Sequence, residues 1–300
     1  MKKLTYEQKE KRAGYCFTLP ALIFLLGFIL FPILYNVLMS FREVNLMTLN
    51  RVQPFAGLEN YRAILRMPVF GKAFANTLLF TFVSLFFQFI IGFALALLFS
   101  RKFRLNNMSR GLMLVCWLIP LMAVASVWKW LFASDSTGII NFLLMKLRLI
   151  QEPVKWLLSP GKAMLALIIV NIWRGVPFNM LLLATGLTTL PRDVFEAASI
   201  DGATKWQSFV YMTIPLLRPT IISVVTLGFI YTFKTFDLVF IMTGGGPLYS
   251  TEILATISYR LTFNDFEFGM GSAVANVMLV VLVIVGLVNL KFTGKDEVMS

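Results

Sequence analysis

Six long apolar blocks dominate this chain, and they constrain its fold more than any other feature. They run at roughly 15–39, 73–99, 111–133, 163–187, 216–241 and 272–291. Each is about 20 residues or more, enough to cross a hydrocarbon core of about 30 Å as a helix. A membrane barrel would instead show short segments alternating apolar and polar residues. The expected fold is therefore an all-α membrane protein with six transmembrane helices. Composition agrees: 58% of residues are hydrophobic and only 14% are charged, where a soluble domain carries about 25% charged residues.

The first block follows a basic segment, but it is too long for the core of a cleaved signal peptide, and no small-residue cleavage site follows it. We read it as a retained span. The chain then divides into an N-terminal segment at 1–14, a six-span body at 15–291 and a tail at 292–300. Net charge is +12, which could point to nucleic acid. The basic residues, however, lie in short clusters beside the apolar blocks, the pattern that orients a membrane protein. Residues 1–14 hold Lys2, Lys3, Lys9, Lys11 and Arg12, and the 100–110 connection holds Arg101, Lys102, Arg104 and Arg110. The 242–271 connection holds only Arg260. Both termini are expected in the cytoplasm, with 40–72, 134–162 and 242–271 outside. Trp128 and Trp130, around Lys129, read as an interfacial belt. Cys16 and Cys116 fall in apolar stretches and read as free thiols.

The connection at 188–215 is more regular than a linker. Pro191 and Asp193 stand where a helix should begin, the acid matching the positive end of the helix dipole. Val194, Ala197 and Ala198 share a face. Gly202 ends that helix or turns the chain, and a second helical stretch at about 203–212 leads to Pro215. The spacing predicts a short helix and a turn lying across the inner mouth of the bundle.

No chemistry of its own is visible. A phosphate-binding loop needs Gly-x4-Gly-Lys followed by Ser or Thr, yet Gly161-Lys162 precedes Ala163 and Gly294-Lys295 precedes Asp296. The chain has no His, so the commonest general base and metal ligand is missing.

Polar residues inside the spans need a reason, because a charge at the bilayer centre costs about 2.5–3.5 kcal/mol on insertion scales. Arg174 falls near the middle of the fourth block, in Asn171-Ile172-Trp173-Arg174-Gly175-Val176-Pro177-Phe178-Asn179. Pro177 has no N–H for the Trp173 carbonyl, and Gly175 leaves room beside it. A widened turn is expected here, tolerated at that depth only where it lines protein or water. Asn171, Trp173, Arg174 and Asn179 form a plausible wall for a hydroxyl-rich solute. Arg174 could equally neutralise a carboxylate or pack against a second subunit. Lys234 and Asp237 are expected to form an internal ion pair. Pro20, Pro32 and Pro120 are expected to kink their helices locally.

The stretch Glu196-Ala197-Ala198, three residues, Gly202, nine residues, Met212-x-Ile214-Pro215 resembles the EAA loop of ABC importer permeases. That loop reads Glu-Ala-Ala, then Gly, then Ile-x-Leu-Pro; Met212 and Ile214 depart from it while keeping bulk and apolarity. Gly57-Leu58-Glu59-Asn60-Tyr61, Asn76-Thr77, Thr243-Gly244-Gly245-Gly246-Pro247, Tyr259-Arg260 and Phe268-Gly269 look like the carbohydrate-type permeases. The Gly-Gly-Gly-Pro run favours the first, maltose-type, permease of such systems.

This resemblance implies a type I importer permease fold in a bacterial or archaeal cytoplasmic membrane. It implies that Glu196, Ala197, Ala198, Asp201, Gly202 and Pro215 belong to the element that docks on an ATPase. It implies a mid-membrane sugar site drawing on Asn171, Trp173, Arg174, Gly175 and Phe178, and on Gly228, Tyr231, Thr232 and Thr235 of the fifth span. Only Asn171 and Gly175 repeat the maltose pattern, so the solute class extends to other oligosaccharides and disaccharides and to acidic or phosphorylated derivatives. The partners implied are a second permease, an ABC ATPase dimer carrying ATP and Mg, an external solute-binding protein, the carbohydrate and lipid, with no nucleic acid and no cofactor in this chain. Two other classes compete. An ion-coupled secondary transporter would need intramembrane acids, of which Asp237 is the only one in the six blocks. A non-transporting scaffold would have no use for Arg174 beside a Pro-opened helix.

Overall fold

A computed structural model describes residues 6–49, 51–100 and 106–297. Lys2, Lys3, Arg101, Lys102 and Arg104 lie outside the described residues, as do the side chains of Lys9, Lys11, Arg12 and Lys295. In chain order the helices are α1 (Tyr6–Leu25), α2 (Phe31–Ser40), α3 (Glu59–Arg66), α4 (Pro68–Phe99), α5 (Asn106–Leu118), α6 (Leu121–Leu131), α7 (Ile139–Lys146), α8 (Pro160–Thr188), α9 (Arg192–Ile200), α10 (Lys205–Ser208), α11 (Ile214–Leu216), α12 (Arg218–Phe233), α13 (Asp237–Met242), α14 (Leu254–Tyr259) and α15 (Phe268–Glu297). Apart from one isolated bridge between Arg42 and Phe55, no strand occurs among the described residues.

Four stretches are long and apolar enough to cross a membrane unbroken: Gly14–Ser40, Pro68–Phe99, Pro160–Thr188 and Phe268–Lys291. The third block is split into two helices, and the fifth begins at a bend. Met108–Leu118 and Leu121–Leu131 meet at 93°, and Lys205–Leu216 and Arg218–Phe233 meet at 66°. Pro120 therefore does more than kink its helix. A residue before proline avoids the helical region, and the chain breaks at Ile119-Pro120. The fifth block also ends early. Helix α12 stops at Phe233, and α13 restarts at Asp237. At the ends, helix extends back to Tyr6 and forward to Glu297, into the segments expected to flank the six-span body.

Among the described residues three π-helical turns occur, and two have the same cause. Leu26–Leu30 ends with the Phe31 N–H on the Leu26 carbonyl, and Phe209–Thr213 ends with the Ile214 N–H on the Phe209 carbonyl. The next residues are Pro32 and Pro215. Proline crowds the carbonyl four residues back and offers it no N–H; a wider turn accommodates the ring. At Pro177 the outcome differs from expectation. Helix α8 runs as 29 uninterrupted α-helical residues, with no widened turn. Around this level two side chains donate to other α8 carbonyls, Asn179 Nδ2 to that of Gly175 at 2.9 Å and Gln88 Nε2 to that of Asn171 at 2.9 Å.

The chain forms two compact units. The first comprises residues 1–66 and 258–277. A line of polar side chains ties it together. Asn36 donates to Asn276 at 2.8 Å, Asn276 donates to the Tyr61 hydroxyl at 3.2 Å, and that hydroxyl lies 2.8 Å from Ser40 Oγ. Asn60 Nδ2 donates to the carbonyls of Ser40 and Arg42 at 2.8 and 2.9 Å, satisfying oxygens that the end of α2 leaves open. Gly269 donates to the Val44 carbonyl at 3.0 Å. A Cβ there would strike the Arg42 carbonyl at 2.6 Å, so only glycine fits. The Asn60-Tyr61 and Phe268-Gly269 motifs thus close one structural corner.

The second unit comprises residues 67–257 and 278–300. Its centre is α4 against α8, with α12 on both, α5 on α8, and α6 on α13. Two buried apolar clusters form. One gathers Phe80, Val124, Phe132, Leu167, Val170, Leu238 and Ile253. The other gathers Ala96, Phe99, Met180, Leu183, Leu217 and Val224. Helices α4 and α8 contribute to both clusters, and α12 contributes to the second.

Loop ends of this unit are pinned by single side chains. Asn141, with no exposed surface, donates to the carbonyls of Ala133, Asp135 and Val154 and accepts from the Val154 N–H and the Trp156 indole. Asn76 Nδ2 donates to the carbonyls of Ser250 and Glu252, and Thr77 Oγ1 accepts from the Leu254 N–H at 2.9 Å. The Asn76-Thr77 motif therefore anchors the segment after Gly244-Gly245-Gly246. The belt reading of Trp128 needs correction. Trp130 is 57% exposed, but Trp128 packs on Phe132 and edge-on to Trp173, and Lys129 Nζ caps α13 through the Ile241 carbonyl at 2.9 Å. Cys16 and Cys116 are both free.

Candidate functional site: a mid-helix polar cavity and an inner turn

Helix α8 begins at Pro160, whose missing N–H costs nothing at a first turn, and spans about 43 Å at 1.5 Å per residue. Arg174 is its midpoint. Around that level α4, α5, α8 and α12 enclose a cavity of about 100 Å³, lined by Gln88, Trp117, Asn171, Arg174, Gly175, Phe178, Asn179, Gly228, Tyr231, Thr232 and Thr235.

Of the nine residues expected at the sugar site, eight line this cavity. Trp173 does not: it points elsewhere and packs against Trp128. Gly175 and Gly228 take part through what they omit. A Cβ on Gly175 would overlap the Gln88 carboxamide, and one on Gly228 would meet Leu85 Cδ1 at 2.6 Å. Both glycines let neighbouring helices close around the cavity.

Two lining residues went unnoticed in the sequence, Gln88 and Trp117. A lone carboxamide in the otherwise apolar 73–99 block was a usable signal for Gln88. Nothing local distinguishes Trp117. Its ring stacks on Phe178 at 5.1 Å and 16°, and Phe178 meets Tyr231 edge-on at 5.5 Å. The aromatic wall therefore comes from three helices, α5, α8 and α12.

The polar side is unsatisfied. Buried side-chain atoms normally find partners, yet Asn171 Nδ2, Arg174 Nε and Asn179 Oδ1 have none. Asn171 and Asn179 are only 6% and 1% exposed. The expected pair between Lys234 and Asp237 does not form. Helix α12 ends before Lys234, so the two are not on one continuous helix face, and Lys234 Nζ sits 5.2 Å from the centre of the Tyr231 ring. Asp237 acts on Arg174 electrostatically. The arrangement offers aromatic faces, amide donors and acceptors, and a guanidinium to a solute of mixed polarity.

The inner turn is built from local hydrogen bonds. Helix α9 starts after Pro191, with Asp193 in its first turn. It ends in an αL cap: Gly202 has φ +78°, the Gly202 N–H reaches the Ser199 carbonyl at 3.2 Å, and the Ala203 N–H reaches that of Ala198 at 2.9 Å. Glycine carries no penalty at this φ. Helix α10 then opens with a capping box absent from the sequence reading. Gln207 N–H donates to Thr204 Oγ1 at 3.3 Å, and the Thr204 N–H donates to Gln207 Oε1 at 2.8 Å. The Thr-x-x-Gln spacing was the signal. The stretch expected to be helical at 203–212 is α10 followed by the π turn.

Ala198 is buried, while Glu196, Ala197 and Asp201 are exposed. Val194 is 37% exposed, so the shared face of Val194, Ala197 and Ala198 is only partly buried. Glu196 borders an open cleft of about 620 Å³ with Arg192, Phe195, Ser199, Thr213 and the ends of α4 and α8. Ile200 and Trp206, on either side of the turn, are 86% and 71% exposed.

Several known proteins resemble this chain. The trehalose/maltose transport system permease protein MalF of Thermococcus litoralis is 33% identical over 290 residues, covering 96% of this chain and 95% of the relative. The sulfoquinovosyl glycerol transport system permease protein SmoG of Agrobacterium fabrum is 35% identical, covering 86% and 83%. Among solved structures, a bacterial ABC transporter involved in the import of the acidic polysaccharide alginate has a chain that matches with a TM-score of 0.81 at 23% identity, covering 96% of both chains; that likeness shows the fold. Residues 88–292 match the family described as binding-protein-dependent transport system inner membrane component, a stretch that contains both the cavity and the inner turn. This chain belongs to that family, the multi-pass permease subunits of ABC importers.

Proposed function

We propose that this permease carries a carbohydrate, delivered by an external solute-binding protein, through a path that passes the cavity around Arg174. The observation that carries the reading is the composition of that cavity. Trp117, Phe178 and Tyr231 offer flat apolar faces of the kind that cover the C–H side of a sugar ring. Asn171, Asn179, Thr232 and Thr235 offer donors and acceptors for its hydroxyls. The named transport substrates of several relatives, trehalose/maltose, sulfoquinovosyl glycerol and, for DasB of Streptomyces coelicolor at 32% identity, diacetylchitobiose, support a saccharide.

Energy comes from outside the chain. An ATPase dimer holding ATP and Mg docks on the cytoplasmic turn around Gly202, with both termini on that same side. Glu196 pairs there with a basic residue, Ala197 allows close approach, and exposed Ile200 and Trp206 add apolar contact. A second, homologous permease completes the path. Closure of the ATPases moves the turn, and the helices alternate access to the cavity.

Reconstitution tests this. Vesicles holding the full complex should hydrolyse ATP faster and take up radiolabelled saccharide when the loaded binding protein is added. Glu196→Lys should insert and assemble its spans normally yet lose uptake entirely, because a reversed charge leaves a buried like-charge contact. Normal uptake by Glu196→Lys contradicts the role of the turn. Uptake that continues without the ATPase favours ion-coupled transport.

A further inference from the structure

A charge at the centre of a membrane helix needs a countercharge, and this chain withholds one from Arg174. Arg62 pairs with Glu59 at 3.4 Å on an exposed helix, whereas Asp237 acts on Arg174 electrostatically and accepts no hydrogen bond from its Nε. The Arg174 Nε is buried with no acceptor, and the neighbouring Asn171 Nδ2, also without one, lines the same cavity. Gln88 Nε2 donates to the Asn171 carbonyl, and no acceptor, the Gln88 carboxamide oxygen included, takes the Arg174 Nε–H. Arg174 is the only charged residue in the lining, and the unpartnered buried atoms there are two donors, on Asn171 and Arg174, and one acceptor, Asn179 Oδ1.

From this geometry we propose that the solute carries an anionic substituent, a carboxylate or another oxyanion on a sugar, and that Arg174 is the residue that selects it. Guanidinium geometry matches a planar oxyanion, and the Arg174 Nε–H and Asn171 Nδ2–H are the donors left open for it. The remaining wall, aromatic and amide-bearing, takes the rest of the sugar whether or not it is charged. This inference rests on the carbohydrate reading above and narrows it.

The binding protein imposes its own selectivity, so the test omits it. The purified complex of both permeases and the ATPases is titrated in detergent with a neutral trisaccharide and with a triuronate of the same linkage, following tryptophan fluorescence. Trp117 in the wall supplies the signal. The intact complex should bind the triuronate about ten- to a hundredfold more tightly, the range expected for a charge-assisted contact. Arg174→Gln should abolish the difference by weakening triuronate binding far more than neutral binding, while Arg174→Lys should retain part of it. Equal binding of the two sugars by the intact complex overturns the proposal. So does a preference that survives in Arg174→Gln. An equal loss of both sugars, or loss of the second permease from the Arg174→Gln complex, assigns Arg174 to subunit pairing and also overturns it. If neither saccharide binds the intact complex, the carbohydrate reading itself fails.

Discussion

The inner turn and the mid-helix cavity lie in the same unit but are built by opposite rules. The turn closes on itself. Within residues 196–208 the Gly202 cap and the Thr204–Gln207 box satisfy the helix ends with hydrogen bonds between near neighbours in sequence. The cavity gathers residues from four helices and leaves Asn171, Arg174 and Asn179 with open positions. The proposed lever needs a fixed shape to transmit force, and local bonds supply one. The proposed transit site must hold a solute and then release it, which requires polar groups that remain available.

The contrast can be broken from the cavity side with the larger effect. Gly175→Val places a branched side chain where the Gln88 carboxamide now sits. Overpacking of this kind costs about 1–3 kcal/mol. Thermal unfolding of the purified complex should shift downward, and saccharide binding should be lost while the turn still docks the ATPase. Unchanged binding in this variant would show that the solute passes elsewhere.

A smaller effect comes from the turn. Thr204→Ala removes the capping box at a cost of about 0.5–2 kcal/mol. Saccharide binding should be unaffected, but ATP hydrolysis should become less responsive to the loaded binding protein, because the turn loses stiffness. A response equal to that of the unaltered complex would mean the box adds nothing to the lever.

The same contrast explains what the sequence could reveal. The turn was legible because its bonds join near neighbours: Pro191, Asp193 and Gly202 mark its ends in the chain itself. Four spans were legible because length and apolarity alone define them. The cavity was legible on α8 and α12, where polar residues stand out against apolar neighbours, as Arg174 and Asn171 do. Trp117 was invisible, since an aromatic in an apolar helix looks the same facing lipid, core or cavity. Trp173 failed for the converse reason: one helical step from Arg174 turns a side chain by about 100°, and it packs on Trp128 instead. The breaks were located but not measured. Pro120 marks a position, while the 93° angle depends on what α5 and α6 pack against. Asn141 shows the limit most plainly. It makes five hydrogen bonds from a fully buried position, in a segment that the sequence marks only as an external connection.

Where Ala197 faces decides the matter most directly. A single cysteine there, Ala197→Cys, with Cys16 and Cys116 replaced by serine, can be challenged with a membrane-impermeant maleimide from either side of sealed vesicles. The account predicts labelling from the cytoplasmic side alone, and protection when the ATPase subunits are bound. Labelling from the external side, or equal labelling with and without the ATPase, would contradict it.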